Sequence, residues 1–226
     1  MDYEIKGNIV PSVEINLTKG ESVFTQSGGM FYQTDGIRME TNAKGGFLKG
    51  IGRMFAGESF FMVTYTAERN SKIAFASTVP GTIIPVDVSN NNNFTIQKGA
   101  FLAAETSVDL KTTFNKKVGT GFFGGEGFIL QELRGHGMAF LEIDGDAIEI
   151  NLAPGEVIKV DTGNLVGFES SVSYEIETVK GVGNILFGGE GLFLTRLTGP
   201  GQVVLQTMNI NEFALKIGSF IPTSSN

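Results

Sequence analysis

One short pattern occurs three times along the chain, and that repetition limits the possible folds more than any other feature. Phe55-Ala56-Gly57-Glu58-Ser59-Phe60-Phe61 returns as Phe123-Gly124-Gly125-Glu126-Gly127-Phe128-Ile129 and as Phe187-Gly188-Gly189-Glu190-Gly191-Leu192-Phe193. The three glutamates stand 68 and 64 residues apart. A second marker keeps nearly the same beat. Val13-Glu14-Ile15-Asn16-Leu17, followed by Gly20-Glu21, reappears as Ile148-Glu149-Ile150-Asn151-Leu152, followed by Gly155-Glu156. A looser middle copy is Ile84-Pro85-Val86-Asp87-Val88, and Gly28, Gly99 and Gly163 add a third marker. Self-similarity at a fixed period is the signature of a repeat architecture. We therefore expect a single domain over 1–226, with repeats at approximately 1–70, 71–136 and 137–210 around a pseudo-threefold axis.

Within each unit the hydrophobic period is two. Val13, Ile15 and Leu17 alternate with Glu14 and Asn16, and Ile148, Ile150 and Leu152 alternate with Glu149 and Asn151. Such alternation describes a strand with one buried and one wet face. Phe60 to Tyr65 and Phe128 to Leu133 are β-rich runs bounded by glycine. Gly135-His136-Gly137 and Gly199-Pro200-Gly201 fall where a hairpin would reverse the chain. The expected class is all-β and mostly antiparallel, with three pseudo-repeated sheet units and one short C-terminal helix. That helix would start from an Asn211 cap and carry Phe213, Ile217, Phe220 and Ile221 at helical spacing, packing on the sheet. Residues 223–226 read as a frayed tail.

Composition removes several kinds of chemistry. With no cysteine there is no disulfide, thiolate metal site or cysteine nucleophile, and one histidine, His136, cannot build a multi-histidine centre. A net charge of −7 argues against broad electrostatic binding to nucleic acid. The N-terminus lacks the basic and apolar regions of a signal peptide, and no run is long enough for a spanning helix. The expected location is cytoplasmic, peripheral to a membrane if the loops described below bind one.

The Phe-Gly-Gly-Glu-Gly repeats at Gly124 to Gly127 and Gly188 to Gly191, with the variant Ala56-Gly57-Glu58-Ser59, resemble the family named after altered inheritance of mitochondria. The resemblance runs from Tyr3 to Pro222 and includes bacterial members. It implies a β fold of the tryptophan-RNA-binding-attenuator-like type with three similar sheet units. Eukaryotic members are linked to mitochondrial inner-membrane organisation. No enzymatic activity comes with the resemblance.

Two sets of residues are candidates for function. The first is the repeated pair Gly57-Glu58, Gly125-Glu126 and Gly189-Glu190. Three symmetric carboxylates invite comparison with a hard-cation site. The simpler role is structural: glycine permits a bulge, and the carboxylate accepts hydrogen bonds from exposed backbone N–H groups. The second set precedes each pair: Lys44, Phe47, Leu48, Lys49 and Arg53; Lys116, Lys117 and Phe122; Lys180 and Leu186. Each combines cations, glycine and apolar tips, as an interfacial anchor on anionic lipid does, at about 1 kcal/mol per cation. The alternative is that these apolar residues pack into the protein's own core or a subunit interface.

Catalytic signatures are missing. Gly119-Thr120-Gly121-Phe122-Phe123-Gly124 fits a dinucleotide fingerprint only formally, since no helical pattern follows it. His136 reads as a solvated turn residue. The expectation is a non-enzyme without catalytic residues, metal or cofactor: an oligomeric scaffold or interaction protein, with a homotrimer slightly favoured. An anionic membrane surface is the second expected partner, and nucleic acid is not expected. The alternative is an RNA- or small-ligand-binding module, suggested by fold analogy alone.

Overall fold

In the computed structural model the described residues are 1–26, 28–41, 62–89, 93–116, 128–179 and 192–221. They form nineteen strands and one short helix, with antiparallel ladders throughout. The chain divides into two compact units, one of Met1–Thr113 with Leu130–Ile143 and the other of Phe114–Ile129 with Asp144–Asn226.

After β1 (Asp2–Lys6), six strands follow: β2 (Ser12–Leu17), β3 (Ser22–Gln26), β4 (Met30–Gln33), β5 (Ile37–Thr41), β6 (Met62–Ala67) and β7 (Ser71–Ala76). The next six are β8 (Gly81–Val88), β9 (Phe94–Gln97), β10 (Phe101–Glu105), β11 (Val108–Lys116), β12 (Phe128–Gly135) and β13 (Gly137–Asp144). The last six are β14 (Ala147–Leu152), β15 (Val157–Asp161), β16 (Leu165–Glu169), β17 (Ser173–Val179), β18 (Leu192–Thr198) and β19 (Gly201–Gln206). One strand order recurs in all three stretches. The first, sixth and third strands lie side by side, as β2-β7-β4, β8-β13-β10 and β14-β19-β16. So do the fourth, fifth and second, as β5-β6-β3, β11-β12-β9 and β17-β18-β15.

A β-bulge recurs too. The register of the third strand slips between Met30 and Tyr32 in β4, between Phe101 and Ala103 in β10, and between Leu165 and Gly167 in β16. One extra residue per bulge bends the strand and sharpens its twist.

The expected hairpins at Gly135-His136-Gly137 and Gly199-Pro200-Gly201 are not hairpins. β12 lies between β11 and β9, whereas β13 lies between β10 and β8, so the chain changes sheet at His136. β18 and β19 likewise belong to different strand sets. Each crossing is held by a carboxylate 33 residues upstream: Glu105 Oε2 accepts the Met138 N–H at 2.6 Å, and Glu169 Oε2 accepts the Gln202 N–H at 2.8 Å. In the first stretch a hydroxyl does this work, Thr34 Oγ1 accepting the Lys72 N–H at 2.8 Å. Glycine is required where the carboxylate comes closest. Gly137 has φ +127° and a Cβ there would sit 2.6 Å from Glu105 Oε2; at Gly201, φ +138°, it would meet Ser171 Oγ.

The Gly-Glu pairs after β2 and β14 make a second recurring turn. Glu21 Oε2 accepts the Thr18 N–H at 2.7 Å and Glu156 Oε2 the Ala153 N–H at 2.8 Å, with Gly20 and Gly155 at positive φ. A carboxylate bonded to an N–H that no strand partner reaches satisfies a donor that would otherwise stay unpaired.

The core of the first unit gathers Val13, Ile15 and Leu17 of β2 with Val63, Tyr65, Ile73, Phe75 and Phe140. Edge-to-face contacts, Tyr3 on Phe140 at 4.9 Å and Tyr65 on Phe75 at 5.8 Å, fill it. Fully buried side chains of this size contribute about 1.5–3 kcal/mol each. In the second unit Leu165, Phe168, Leu197, Val203 and Val204 are buried. There the expected inward face of β14 is only partly covered, because β14 is an edge strand and Ile148 remains 45% exposed.

The helix α1 (Ile210–Gly218) is present, but its cap is Asn209 rather than Asn211. The Asn209 side chain accepts from the Asn211 and Glu212 N–H groups, which places Asn211 inside the first turn. Asn209 is itself buried against Gly163, where any Cβ would overlap its amide. The helix does not pack its apolar stripe on a sheet, since none of its residues is buried.

Gly137→Ala and Gly201→Ala should each lower unfolding stability by about 1–3 kcal/mol, through positive φ and the crowded carboxylate. Gly99→Ala, where a Cβ meets nothing within 4 Å, should change it little. Urea midpoints of the three variants check this, and equal midpoints would refute the role assigned to the crossings.

Candidate functional site

Most sequence-predicted site residues lie outside the described residues: Gly57, Glu58, Gly125, Glu126, Gly189 and Glu190, and with them Lys44, Phe47, Leu48, Lys49, Arg53, Lys117, Phe122, Lys180 and Leu186. Lys116 is the last residue of β11. His136 is exposed at its sheet crossing, its N–H bonded to the Ser107 carbonyl at 3.2 Å. The structure brings together a different cluster, on the outer face of the sheet β1-β2-β7-β4.

Strand register builds this cluster. Asp2 stands opposite Asn16, Glu4 opposite Glu14, Asn16 opposite Lys72, and both Glu14 and Tyr32 opposite Ala74. Opposed residues in an antiparallel ladder share a face, so Glu14 is ringed by Glu4, Lys6, Lys72 and Tyr32. Ala74, fully buried, is small enough for the Tyr32 hydroxyl to reach across β7 and donate to Glu14 Oε2. Glu14 Oε1 accepts from Lys72 Nζ at 2.8 Å and pairs with Lys6 Nζ at 3.1 Å. Lys6 also reaches Glu4 at 3.3 Å, and Asn16 Nδ2 donates to Asp2 at 2.8 Å.

Glu14 is 7% exposed, which is rare for a glutamate without partners and ordinary for one with three donors. The Lys72, Tyr32 and Lys6 hydrogen bonds pull its carboxyl from 4.5 down to about 2. In return Glu14 raises the ammonium groups of Lys72 and Lys6 and the phenol of Tyr32 above their ordinary values. Near neutral pH the carboxylate is therefore a poor proton acceptor and the lysines are charged, hence poor nucleophiles. The arrangement is a neutralised patch that fixes β1 and β4 to the two central strands. Among the described residues no group of three or more acidic or histidine side chains is placed to hold a metal.

Sequence reading placed Glu14 on a solvated face and did not single out Lys6, Tyr32 or Lys72. They come from four strands, and only register joins them. The weak signal was Glu14 itself, an acid in the middle of an alternating apolar strand.

The family model for mitochondrial biogenesis AIM24 matches residues 3–208. The chain belongs to the AIM24 family. An uncharacterized protein of Streptococcus pyogenes serotype M6 is 32% identical over 224 residues, covering 96% of this chain and 89% of that protein. A crystal structure of a Streptococcus pyogenes protein, 28% identical, superposes with a TM-score of 0.79 over 97% of this chain and 99% of that one. The AIM24 match runs from the second residue of β1 through β19, takes in Glu14 with Lys6, Tyr32 and Lys72, and stops before α1, which begins at Ile210. Among the described residues no helix is long and apolar enough to cross a membrane.

The depressed carboxyl of Glu14 has a pH signature. A carboxyl held below its unfolded value stabilises the fold above that value, and the contribution is lost as pH falls through the folded one. The stability gap between the wild-type chain and Glu14→Gln should thus be constant near neutrality and shrink between 4.5 and about 2. Urea midpoints across that range measure it, and a gap independent of pH would refute the network.

Proposed function

We propose that this AIM24-family protein is a non-catalytic assembly protein that associates with itself. The observation that carries the reading is where its large apolar side chains are exposed. They concentrate on edge strand β4, with Met30 and Tyr32 over a third exposed and Phe31 at 64%, and along α1. Ile210, Phe213, Ile217 and Ile221 recur at i, i+3, i+7 and i+11, one stripe of the helix and the residues after it. A nine-residue helix is too short to be stable alone in water, so covering this stripe stabilises it. The best-formed charged cluster, by contrast, is internally matched and points to no reaction. Large apolar side chains exposed in this way mark contact sites.

Light scattering on the intact chain over a dilution series should give a mass above 24.2 kDa. Ending the chain after Asn209 should weaken that association while leaving the β-sheet circular dichroism unchanged. A single 24.2 kDa species from the intact chain at every concentration would overturn the reading. Flotation with anionic vesicles is a separate arm: salt-sensitive flotation would support lipid as a further partner, as the basic, apolar loops suggest.

A further inference from the structure

Asn209 is the last buried residue of the chain among the described ones. Up to that point main-chain bonds hold the segment after β19. The Thr207 N–H donates to the Asp146 carbonyl and the Met208 N–H to the Asp144 carbonyl, both at 3.1 Å. The Asn209 side chain then makes the join to α1. Its Oδ1 caps the helix, and its amide nitrogen lies against Gly163, where an added Cβ would come within 2.0 Å of it. That nitrogen has no hydrogen-bond partner among the described residues. A buried donor left unpaired works against the anchor that the cap supplies. The join is therefore close to balance, and a modest change in charge beside it can tip it.

Two carboxylates flank the anchor. Asp161 Oδ1 accepts the Gly163 N–H at 2.8 Å, on the turn Thr162–Asn164, and Glu212 gives its own N–H to Asn209 Oδ1 at 3.5 Å. Asp161, Gly163, Asn209 and Glu212 thus form one chain of contacts inside the second unit. The nearby cations are engaged elsewhere. Lys159, Arg196 and Glu175 form one row across β15, β18 and β17, beside the row of Asp161, Leu194 and Glu177. Lys159 Nζ donates to Glu177 at 2.7 Å and Arg196 Nη1 to Thr198 Oγ1 at 3.2 Å, while on α1 Lys216 lies over the Phe220 ring. Among the described residues neither Asp161 nor Glu212 has an ion pair.

We propose that this join is a pH-sensitive latch: α1 is loosened from its unit while Asp161 and Glu212 are both ionised, and is seated when one of them takes up a proton. Glu212 stands in the first turn of α1, where a carboxylate is ordinarily welcome to the helix dipole. Here burial and then the charge of Asp161 push its carboxyl above the usual 4.5. Burial likewise pushes Asp161 above 3.8, against the pull of the Gly163 N–H. A carboxyl raised on folding costs stability above its folded value and returns it as pH falls through that value. Seating of α1 should therefore set in on acidification, in a window above 4.5. Glu14, held at about 2, stays ionised across that window, so the first unit takes no part.

The chain has no cysteine, so a nitroxide attached through Ser219→Cys, at an exposed residue just past α1, reports on the helix alone. Its spectrum is followed as pH falls from near 8 toward 4.5. The expected result is loss of the mobile component. Asp161→Asn, which keeps an acceptor for the Gly163 N–H, and Glu212→Gln should each hold the probe ordered across the whole range. Asn209→Ala, which removes the anchor, should leave it mobile throughout. A spectrum indifferent to pH overturns the proposal, as does a pH response undiminished in both neutral variants or a probe that stays ordered in Asn209→Ala. A change in the β-sheet circular dichroism in step with the probe means that the unit unfolds, and overturns the latch too. The join is internal to one chain and does not depend on self-association; a probe response that vanishes on dilution belongs to assembly and counts against the latch.

Discussion

The need to satisfy backbone N–H groups where the chain leaves one sheet and enters another governs this architecture. At such a crossing the strand ladder is interrupted, and an amide without a partner is costly when water cannot reach it. The fold answers with side-chain acceptors fixed in space. Glu105 and Glu169 each hold the first amides after a crossing, Thr34 does so in the first stretch, and Glu21 and Glu156 close the turns after β2 and β14. Glu142 follows the same logic, accepting from the Thr78 N–H and from the hydroxyls of Ser77 and Thr78. These five of the chain's 24 acidic residues thus serve backbone geometry.

The class of fold was legible because alternation and repetition are local properties. Val13, Ile15 and Leu17 could be assigned inward from their spacing alone, and all three are buried. The turns were legible from their glycines, but the partners of those turns were not. Gly135-His136-Gly137 reads as a hairpin because glycine signals reversal, whereas its strands pair with others far away in sequence. Glu105 and Met138 are 33 residues apart, and nothing in either neighbourhood announces the bond. The Glu14 cluster was hidden for the same reason, since Lys6, Tyr32 and Lys72 meet only through register. The cap moved from Asn211 to Asn209 because helical periodicity locates a helix to within a couple of residues, while the cap depends on which side chain reaches back.

The charged and apolar surfaces point in different directions chemically. Charges meet their opposites within the molecule: Glu14 with two lysines, Arg69 with Asp35, Arg134 with Glu132, Lys159 with Glu177. Exposed pairs of this kind add little stability, and they engage the charges they join, while the chain as a whole keeps a net charge of −7. Apolar groups at β4 and α1 are not matched in this way. The family model's match ends before α1, although the solved Streptococcus pyogenes structure covers 97% of this chain.

The first-to-last pairing of strands has a consequence for how the chain acquires its shape. β2 has β7 as a neighbour, β8 has β13 and β14 has β19, so each of these ladders joins segments about fifty or more residues apart. Such non-local pairing makes for high contact order and slow folding, because loop closure must precede the contacts that reward it. During synthesis the first strand of each stretch emerges well before its sixth-strand neighbour and waits with open hydrogen-bonding groups. β1, which pairs with β2 directly after a short connection, gives that first waiting strand a partner at once. The N-terminal strand is then a nascent-chain guard as well as a piece of sheet.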